Sequence, residues 1–123
     1  LYIKNLKTLK TKRITFNKGN YATPVWSPRG DYIAFTKTIN GNFFIGLLKK
    51  DGTKERIISK GYLTESPTWS PNGRTLAFYK VSLNDDGTKE SKLYAIDITG
   101  NQERIIKTPN QASDPAWGPS IKY

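Results

Sequence analysis

The sequence predicts an all-β fold: β-propeller blades of four antiparallel strands, present as an incomplete propeller of about two and a half to three blades. Three observations carry this. A Pro-x-Trp-Ser-Pro-x-Gly segment recurs, as Thr23-Pro24-Val25-Trp26-Ser27-Pro28-Arg29-Gly30, as Ser66-Pro67-Thr68-Trp69-Ser70-Pro71-Asn72-Gly73 and, shortened, as Asp114-Pro115-Ala116-Trp117-Gly118-Pro119, so that the tryptophans lie 43 and 48 residues apart. A second marker, Arg13-Ile14-Thr15, Arg56-Ile57-Ile58 and Arg104-Ile105-Ile106, keeps the same offsets of 43 and 48. Between the markers lie short β-branched and aromatic runs bounded by turn residues, with no apolar spacing near 3.6.

A period in the forties accommodates four strands of about five residues and four turns. With the strands of a blade lettered A to D, strand A carries the tryptophan. Strand B is Tyr32-Ile33-Ala34-Phe35-Thr36, then Thr75-Leu76-Ala77-Phe78-Tyr79. Strand C is 43–48, then 93–98, and strand D opens at Arg56 and Arg104. Ser-Pro-x-Gly is a four-residue turn with proline second and glycine fourth, and it joins A to B. Asp51-Gly52 and Thr99-Gly100 join C to D, and the longer second unit takes up its extra residues at Asn84-Asp85-Asp86-Gly87-Thr88, a polar loop. Proline is expected at strand ends, so Pro24 and Pro67 should begin strand A and Pro28 and Pro71 should end it, leaving it short.

The phase of the chain divides it into residues 1–19, strands C and D of a partial blade (D at Arg13-Ile14-Thr15-Phe16); 20–61 and 62–109, complete blades; and 110–123, a lone strand A closing the ring. Such a set cannot close by itself, so the parent protein is expected to extend at its N-terminal side. The opening Leu1-Tyr2-Ile3 lacks Met and a signal-peptide pattern and reads as cut, whereas the C-terminus reads as natural.

Composition excludes several functions. Without cysteine or histidine the chain holds no disulfide, thiolate metal site, Ser-His-Asp triad or imidazole-ligated zinc. No apolar run approaches the ~18–20 residues of a membrane span, so no direct membrane insertion is expected. The net charge of +10 is uneven: residues 1–30 carry Lys4, Lys7, Lys10, Lys12, Arg13, Lys18 and Arg29 and no acid. The lysines from Lys4 to Lys18 fit a solvated face of outer strands, without a nucleic-acid motif, and no nucleic acid is expected as partner. No metal or cofactor is expected either, since Asn84-Asp85-Asp86-Gly87 lacks the rest of a calcium loop.

The tryptophans, in identical repeat positions, read as packing between blades, with Trp26, Pro28, Gly30, Trp69, Pro71, Gly73, Trp117 and Pro119 as the structural repeat. Ser27 and Ser70, lacking a base, read as turn hydroxyls. The candidate binding surface is the set of loops leading into strand A, at one mouth of the central channel: Tyr21, Ala22, Thr23; Tyr62, Thr64, Glu65, Ser66; and Ala112, Ser113, Asp114. These loops vary while the flanking Pro-x-Trp stays the same, which is where specificity can be placed on a fixed scaffold.

The Pro-x-Trp-Ser-Pro-x-Gly turn, followed by a strand with Ile33-Ala34-Phe35 or Leu76-Ala77-Phe78, resembles the TolB-type propeller repeat across essentially the whole chain. Arg29 and Asn72 stand where that family usually has Asp, and the third copy departs further, with Gly118 for Ser and Ile121 for Gly. Ala116-Trp117-Gly118-Pro119 close to the end is a characteristic of the family. The resemblance implies the C-terminal portion of a six-bladed propeller, no enzymatic reaction and no cofactor. It implies a periplasmic place in the Tol-Pal system of envelope integrity and cell division, the lipoprotein Pal as partner of the propeller, and TolA as partner of a separate N-terminal domain. Two other readings stand beside it: the substrate-filtering propeller of a prolyl-oligopeptidase-like peptidase, and a basic polyanion-binding propeller.

Overall fold

The computed structural model describes residues 1–121 and has ten strands in three antiparallel sheets. A two-stranded sheet pairs β1 (Tyr2–Lys4) with β2 (Thr11–Arg13). A four-stranded sheet runs β3 (Asn20–Trp26), β4 (Tyr32–Ile39), β5 (Asn42–Lys49), β6 (Arg56–Gly61). A second runs β7 (Leu63–Trp69), β8 (Thr75–Leu83), β9 (Lys89–Asp97), β10 (Arg104–Ile106). Each four-stranded sheet is thus a meander in chain order, A-B-C-D, as expected of propeller blades.

The sheets stack face to face because their middle strands are apolar on both sides. Ile33, Phe35 and Leu48 pack with Ile14, Leu1, Ile3 and Tyr21 in one cluster. Ala34, Ile45 and Leu47, one residue out of phase and so on the opposite face, pack with Trp69, Leu76, Phe78 and Ile96 in another. Near-continuous apolar runs such as 33–35 are what burial on two faces demands.

The close stacking depends on one glycine. Gly46 lies opposite Phe35 in the β4–β5 ladder, and a Cβ on it would come within 2.4 Å of Phe35 Cζ, whose ring is fully buried. Gly46→Ala is therefore expected to cost about 1–3 kcal/mol by forcing the ring off its rotamer; urea denaturation showing no loss would mean that the ring has room to turn.

Two expectations about strands are corrected. Pro24 and Pro67 do not begin strand A; they lie inside β3 and β7, seven residues each, where the register shifts between Ala22 and Val25 and between Glu65 and Thr68. A bulge leaves residues out of the ladder, so a proline there sacrifices no hydrogen bond and the strand need not be short. Secondly, strand D of the partial blade is Thr11–Arg13, not a run starting at Arg13, so Arg13 ends β2 whereas Arg56 and Arg104 begin β6 and β10. Pairing reaches Ile14 through its N–H to Leu1 O (2.9 Å), after which Ile14 and Thr15 turn into the sheet interface and are buried. The third Pro-x-Trp copy forms no strand among the described residues. No strand B follows it there to pair with, and it is held instead against the preceding sheet, by Trp117 N–H to Thr68 Oγ1 (3.1 Å), Ala112 N–H to Ser91 O (3.1 Å) and Ser91 Oγ–H to Ala112 O (2.7 Å). Lys122 and Tyr123, the end of the expected closing strand, lie outside the described residues.

Candidate functional site: the approach to the inner strands

Each repeat has a residue in the left-handed region directly before proline: Thr23 (φ 46°) and Ser66 (φ 57°), which lie at the bulges inside β3 and β7 and not in loops ahead of them as expected, and Asp114 (φ 48°). None is glycine, and Thr is β-branched, so the conformation carries strain of order 1–3 kcal/mol at such a residue. Local bonds hold it. Thr23 Oγ1 and Thr36 Oγ1 are 2.6 Å apart, Ser66 Oγ donates to Asp114 Oδ1 at 3.1 Å, and Ser113 Oγ donates to Asp114 Oδ2 at 2.8 Å. Ser66 and Asp114 thus link the second and third copies side by side, whereas Thr23 is tied within its own sheet.

This linkage gathers two carboxylates. Glu65, half-buried on β7, accepts from Tyr79 OH at 3.3 Å, and Asp114 is exposed beside Ser66. Burial raises the Tyr79 phenol above its ordinary pKa, and the charges of Glu65 and Asp114 raise it further. The corner formed by Glu65, Tyr79, Ser66, Ser113 and Asp114 is acidic in a chain of strongly basic composition. Among the described residues no group of three or more metal-ligating side chains forms. The corner presents acceptor oxygens and two negative charges, suited to a cationic or hydrogen-bond-donating partner surface.

The other expected site residues divide. Ala22 and Ser113 are exposed, Ala112 is half-buried, and Tyr62 is 54% exposed with Lys89 Nζ 5.9 Å from its ring centroid. Thr64 is fully buried, its Oγ1 without a partner, because alternation along β7 turns it inward, so it offers no surface to a partner. Tyr21 is half-buried, and its hydroxyl is engaged with Lys37 and Glu55. Of the tryptophans, Trp69 is buried and donates Nε1–H to Val25 O (3.0 Å) on the inner strand of the preceding sheet. Trp26 remains 49% exposed, since the β1–β2 sheet has no inner strand for it to cover, and Trp117 is 43% exposed. Ser27 donates to Asp31 (2.7 Å) and Ser70 to Asn72 (2.7 Å) within their turns. The Ser27 bond is the foremost cause holding Asp31 below the ordinary carboxylate range, so that this acid is too weak a base to activate the serine.

The sequence reading missed a paired device. Lys37 Nζ contacts Glu55 Oε1 at 2.7 Å, and Glu55 also accepts from Asn17 Nδ2 at 2.6 Å. One repeat later, Lys80 Nζ contacts Glu103 Oε1 at 2.9 Å, and Glu103 accepts from Ser59 Oγ. Each glutamate thus joins strand B of its own sheet to the preceding one, Glu55 through Asn17 just beyond β2 and Glu103 through Ser59 within β6. The signal was present: the lysines are 43 apart and the glutamates 48, the offsets of the repeat itself.

Comparison with known proteins agrees with this architecture. The family model described as the TolB beta propeller domain matches residues 1–121. The Tol-Pal system protein TolB of Gluconobacter oxydans is 47% identical over 107 residues, covering 85% of this chain and 24% of that protein. The chain thus spans about a quarter of the length of the curated relatives it matches. Among solved structures, TolB from Acinetobacter baumannii superposes with a TM-score of 0.71 at 18% identity, covering 89% of this chain and 26% of that one. The tricorn protease superposes at 0.68 and 17% identity, covering 85% of this chain and 10% of that one. At such identities the structures establish the blade fold alone. On the family match and the identity to its TolB relatives, the chain belongs to the TolB β-propeller family.

Proposed function

We propose that this chain is the C-terminal portion of a non-enzymatic, periplasmic protein-binding propeller of a Tol-Pal system, whose inner-strand approach loops bind the lipoprotein Pal in support of outer-membrane integrity and cell division. Residues 1–19 are read as strands C and D of a partial blade, 20–61 and 62–109 as complete blades of a six-bladed ring, and 110–123 as the strand A that closes it. TolA is engaged by a separate N-terminal domain. The observation carrying the reading is the acidic corner of Glu65 and Asp114, set beside the strained Ser66 and Asp114 backbone ahead of a recurring Pro-x-Trp, in a chain whose relatives are named for Tol-Pal. Glu65 stands where the other copies have Ala22 and Ser113, so the scaffold does not require its charge.

In the complete propeller, Glu65→Arg is expected to weaken Pal binding by about 1 kcal/mol or more. Folding should lose about 1 kcal/mol, because Glu65 is half-buried and accepts from Tyr79 OH, so the propeller remains folded and the binding loss can be read on its own. Calorimetric titration with Pal and thermal melts measure both. Unchanged affinity, with Tyr62→Ala and Asp114→Arg equally silent, moves the binding site off this end of the blades.

A further inference from the structure

The hairpin joining β1 to β2 is unlike its counterparts. Its tip exposes Leu6 (85%) and Leu9 (66%), flanked by exposed Lys4, Lys7, Lys10 and Lys12. The tip is ordered by its own bonds: Asn5 Oδ1 accepts from the N–H of Lys7 (2.9 Å) and Thr8 (3.0 Å), and Leu9 N–H donates to Asn5 O (2.8 Å). Leu9 occupies the left-handed region at φ 60°. In the equivalent hairpins of the two complete sheets the matching positions are polar: Asp51 and Thr99 two residues after strand C, and Lys54 (φ 58°) and Gln102 (φ 58°) two residues before strand D, left-handed as Leu9 is. The turn takes a polar residue at this left-handed position in both complete sheets, so folding alone has no use for two solvated leucines. The molecule holds two large apolar side chains outward where its other two hairpins present polar ones.

The surroundings say what it is held toward. None of the four lysines forms an ion pair among the described residues, and residues 1–30 contain no acid. The turns between strands A and B lie at the same end of the sheets, as Lys50 N–H to Asp31 O (3.3 Å) and Ile98 N–H to Arg74 O (2.9 Å) show. They and the next hairpin add exposed Arg29, Lys49, Lys50 and Arg74 against Asp31 and Asp51. The acidic corner of Glu65 and Asp114 is at the opposite end. A nucleic acid or a sugar polyanion would satisfy the lysines and leave the leucines in water. An anionic lipid surface satisfies both, since phosphate headgroups meet the ammonium groups while short apolar side chains enter the headgroup–acyl boundary.

We propose that the Asn5–Lys10 tip docks this protein peripherally on an anionic phospholipid bilayer, with Leu6 and Leu9 inserted at the interface and Lys4, Lys7, Lys10 and Lys12 on the phosphates. The hairpin lies on the bilayer and does not cross it. This leaves the acidic end of the blades facing away from the lipid, free for a protein partner.

Co-sedimentation of the full chain with vesicles tests this. Wild type is expected to bind equimolar phosphatidylglycerol–phosphatidylcholine vesicles and not pure phosphatidylcholine, and binding should weaken steeply as salt rises toward about 0.5 M. Leu6→Ser with Leu9→Ser should lower the partition coefficient about tenfold or more, and Lys7→Gln with Lys10→Gln about fivefold or more. Leu9→Gly separates docking from folding: it should weaken binding severalfold while leaving the melting temperature unchanged or higher, because glycine relieves the strained backbone. Absence of wild-type binding, equal binding to neutral vesicles, or leucine variants that bind as well as wild type would each overturn the proposal.

Discussion

Replacing Trp69 by alanine is expected to cost about 3–5 kcal/mol, the range for truncating a large buried aromatic. The indole is 6% exposed and packs in the cluster with Ala34, Ile45 and Leu47 of one sheet and Leu76, Phe78 and Ile96 of its own. It also closes the inter-sheet contact at its polar edge, through Nε1–H to Val25 O at 3.0 Å, and truncation removes that tie between the sheets. Against a total stability of about 5–15 kcal/mol for an ordinary domain, this is a large share. The loss falls on the interface between two stacked units, where repeat proteins hold their cooperativity. Urea denaturation of Trp69→Ala should therefore show a lower midpoint and a broadened or biphasic transition, as the sheets uncouple. Two comparisons isolate the cause. Trp69→Phe keeps most of the apolar volume and loses the N–H, so it should recover more than half of the deficit. Trp26→Ala, at the same repeat position but 49% exposed and without a preceding inner strand to cover, should cost less than half as much. A Trp69→Ala melting temperature within a degree or two of wild type would show that the indole does not hold the sheets together.

The contrast between Trp69 and Trp26 marks what could be read from the residues and what could not. Strands B and C were legible because β-branched and aromatic runs between Gly and Pro turns leave no other regular structure, and strand order followed from the repeat. The insertion at Asn84–Thr88 was legible as a hairpin loop, and it forms one, with Asn84 N–H to Thr88 O at 2.8 Å. The bulge in strand A was not, since proline by itself signals a strand end, and only the left-handed residue before it allows the strand to continue. The exposure of a tryptophan depends on whether a neighbour is present, which no local pattern records. The Leu6–Leu9 tip was hidden for a related reason: an apolar residue in a strand-rich sequence reads as core until the turn geometry turns it outward. At the candidate binding surface, alternation along β7 was available in principle and would have set Thr64 apart from Glu65. The Lys–Glu pairs were spaced by the repeat but masked by abundant lysine.

Those pairs carry the other large effect. Lys37 and Glu55 have side chains only 6% and 15% exposed, and Lys37 Nζ also donates to Tyr21 OH at 2.8 Å, while Tyr21 OH donates to Glu55 at 2.8 Å. Glu55→Ala removes the main partner of a buried ammonium group and is expected to cost about 3–5 kcal/mol, whereas Lys37→Met with Glu55→Gln should recover a substantial part, because no uncompensated charge remains. The same change one repeat later, Glu103→Ala, should cost clearly less, since that glutamate is 34% exposed and water screens its pair. The pH dependence fixes the origin of the effect. For Glu55, burial opposes ionisation, but the bonds from Lys37, Tyr21 and Asn17 outweigh it and hold the pKa below its ordinary value. Its contribution is therefore complete above the unfolded value near ~4.3 and is lost as pH falls through the lower folded one. For Lys37, burial pulls the pKa down, but the bonds to Glu55 and Tyr21 outweigh it and raise the pKa. Its contribution is complete below the unfolded value near ~10.4 and is lost only as pH rises through the higher folded one. The stability gap between wild type and Lys37→Met with Glu55→Gln should accordingly be flat from about pH 5 to 10 and change only in acid below ~4 or in strong base. Urea midpoints of the variants across that range provide the measurement. A gap that drifts through neutral pH, or a Glu55→Ala protein as stable as wild type, would remove the ion pair from the account of how the first sheet is fastened to the second. The consequence reaches the candidate surface, because Tyr21 immediately precedes Ala22 and the strained Thr23, so loosening this tie should also loosen the first of the three loops that lead into the inner strands.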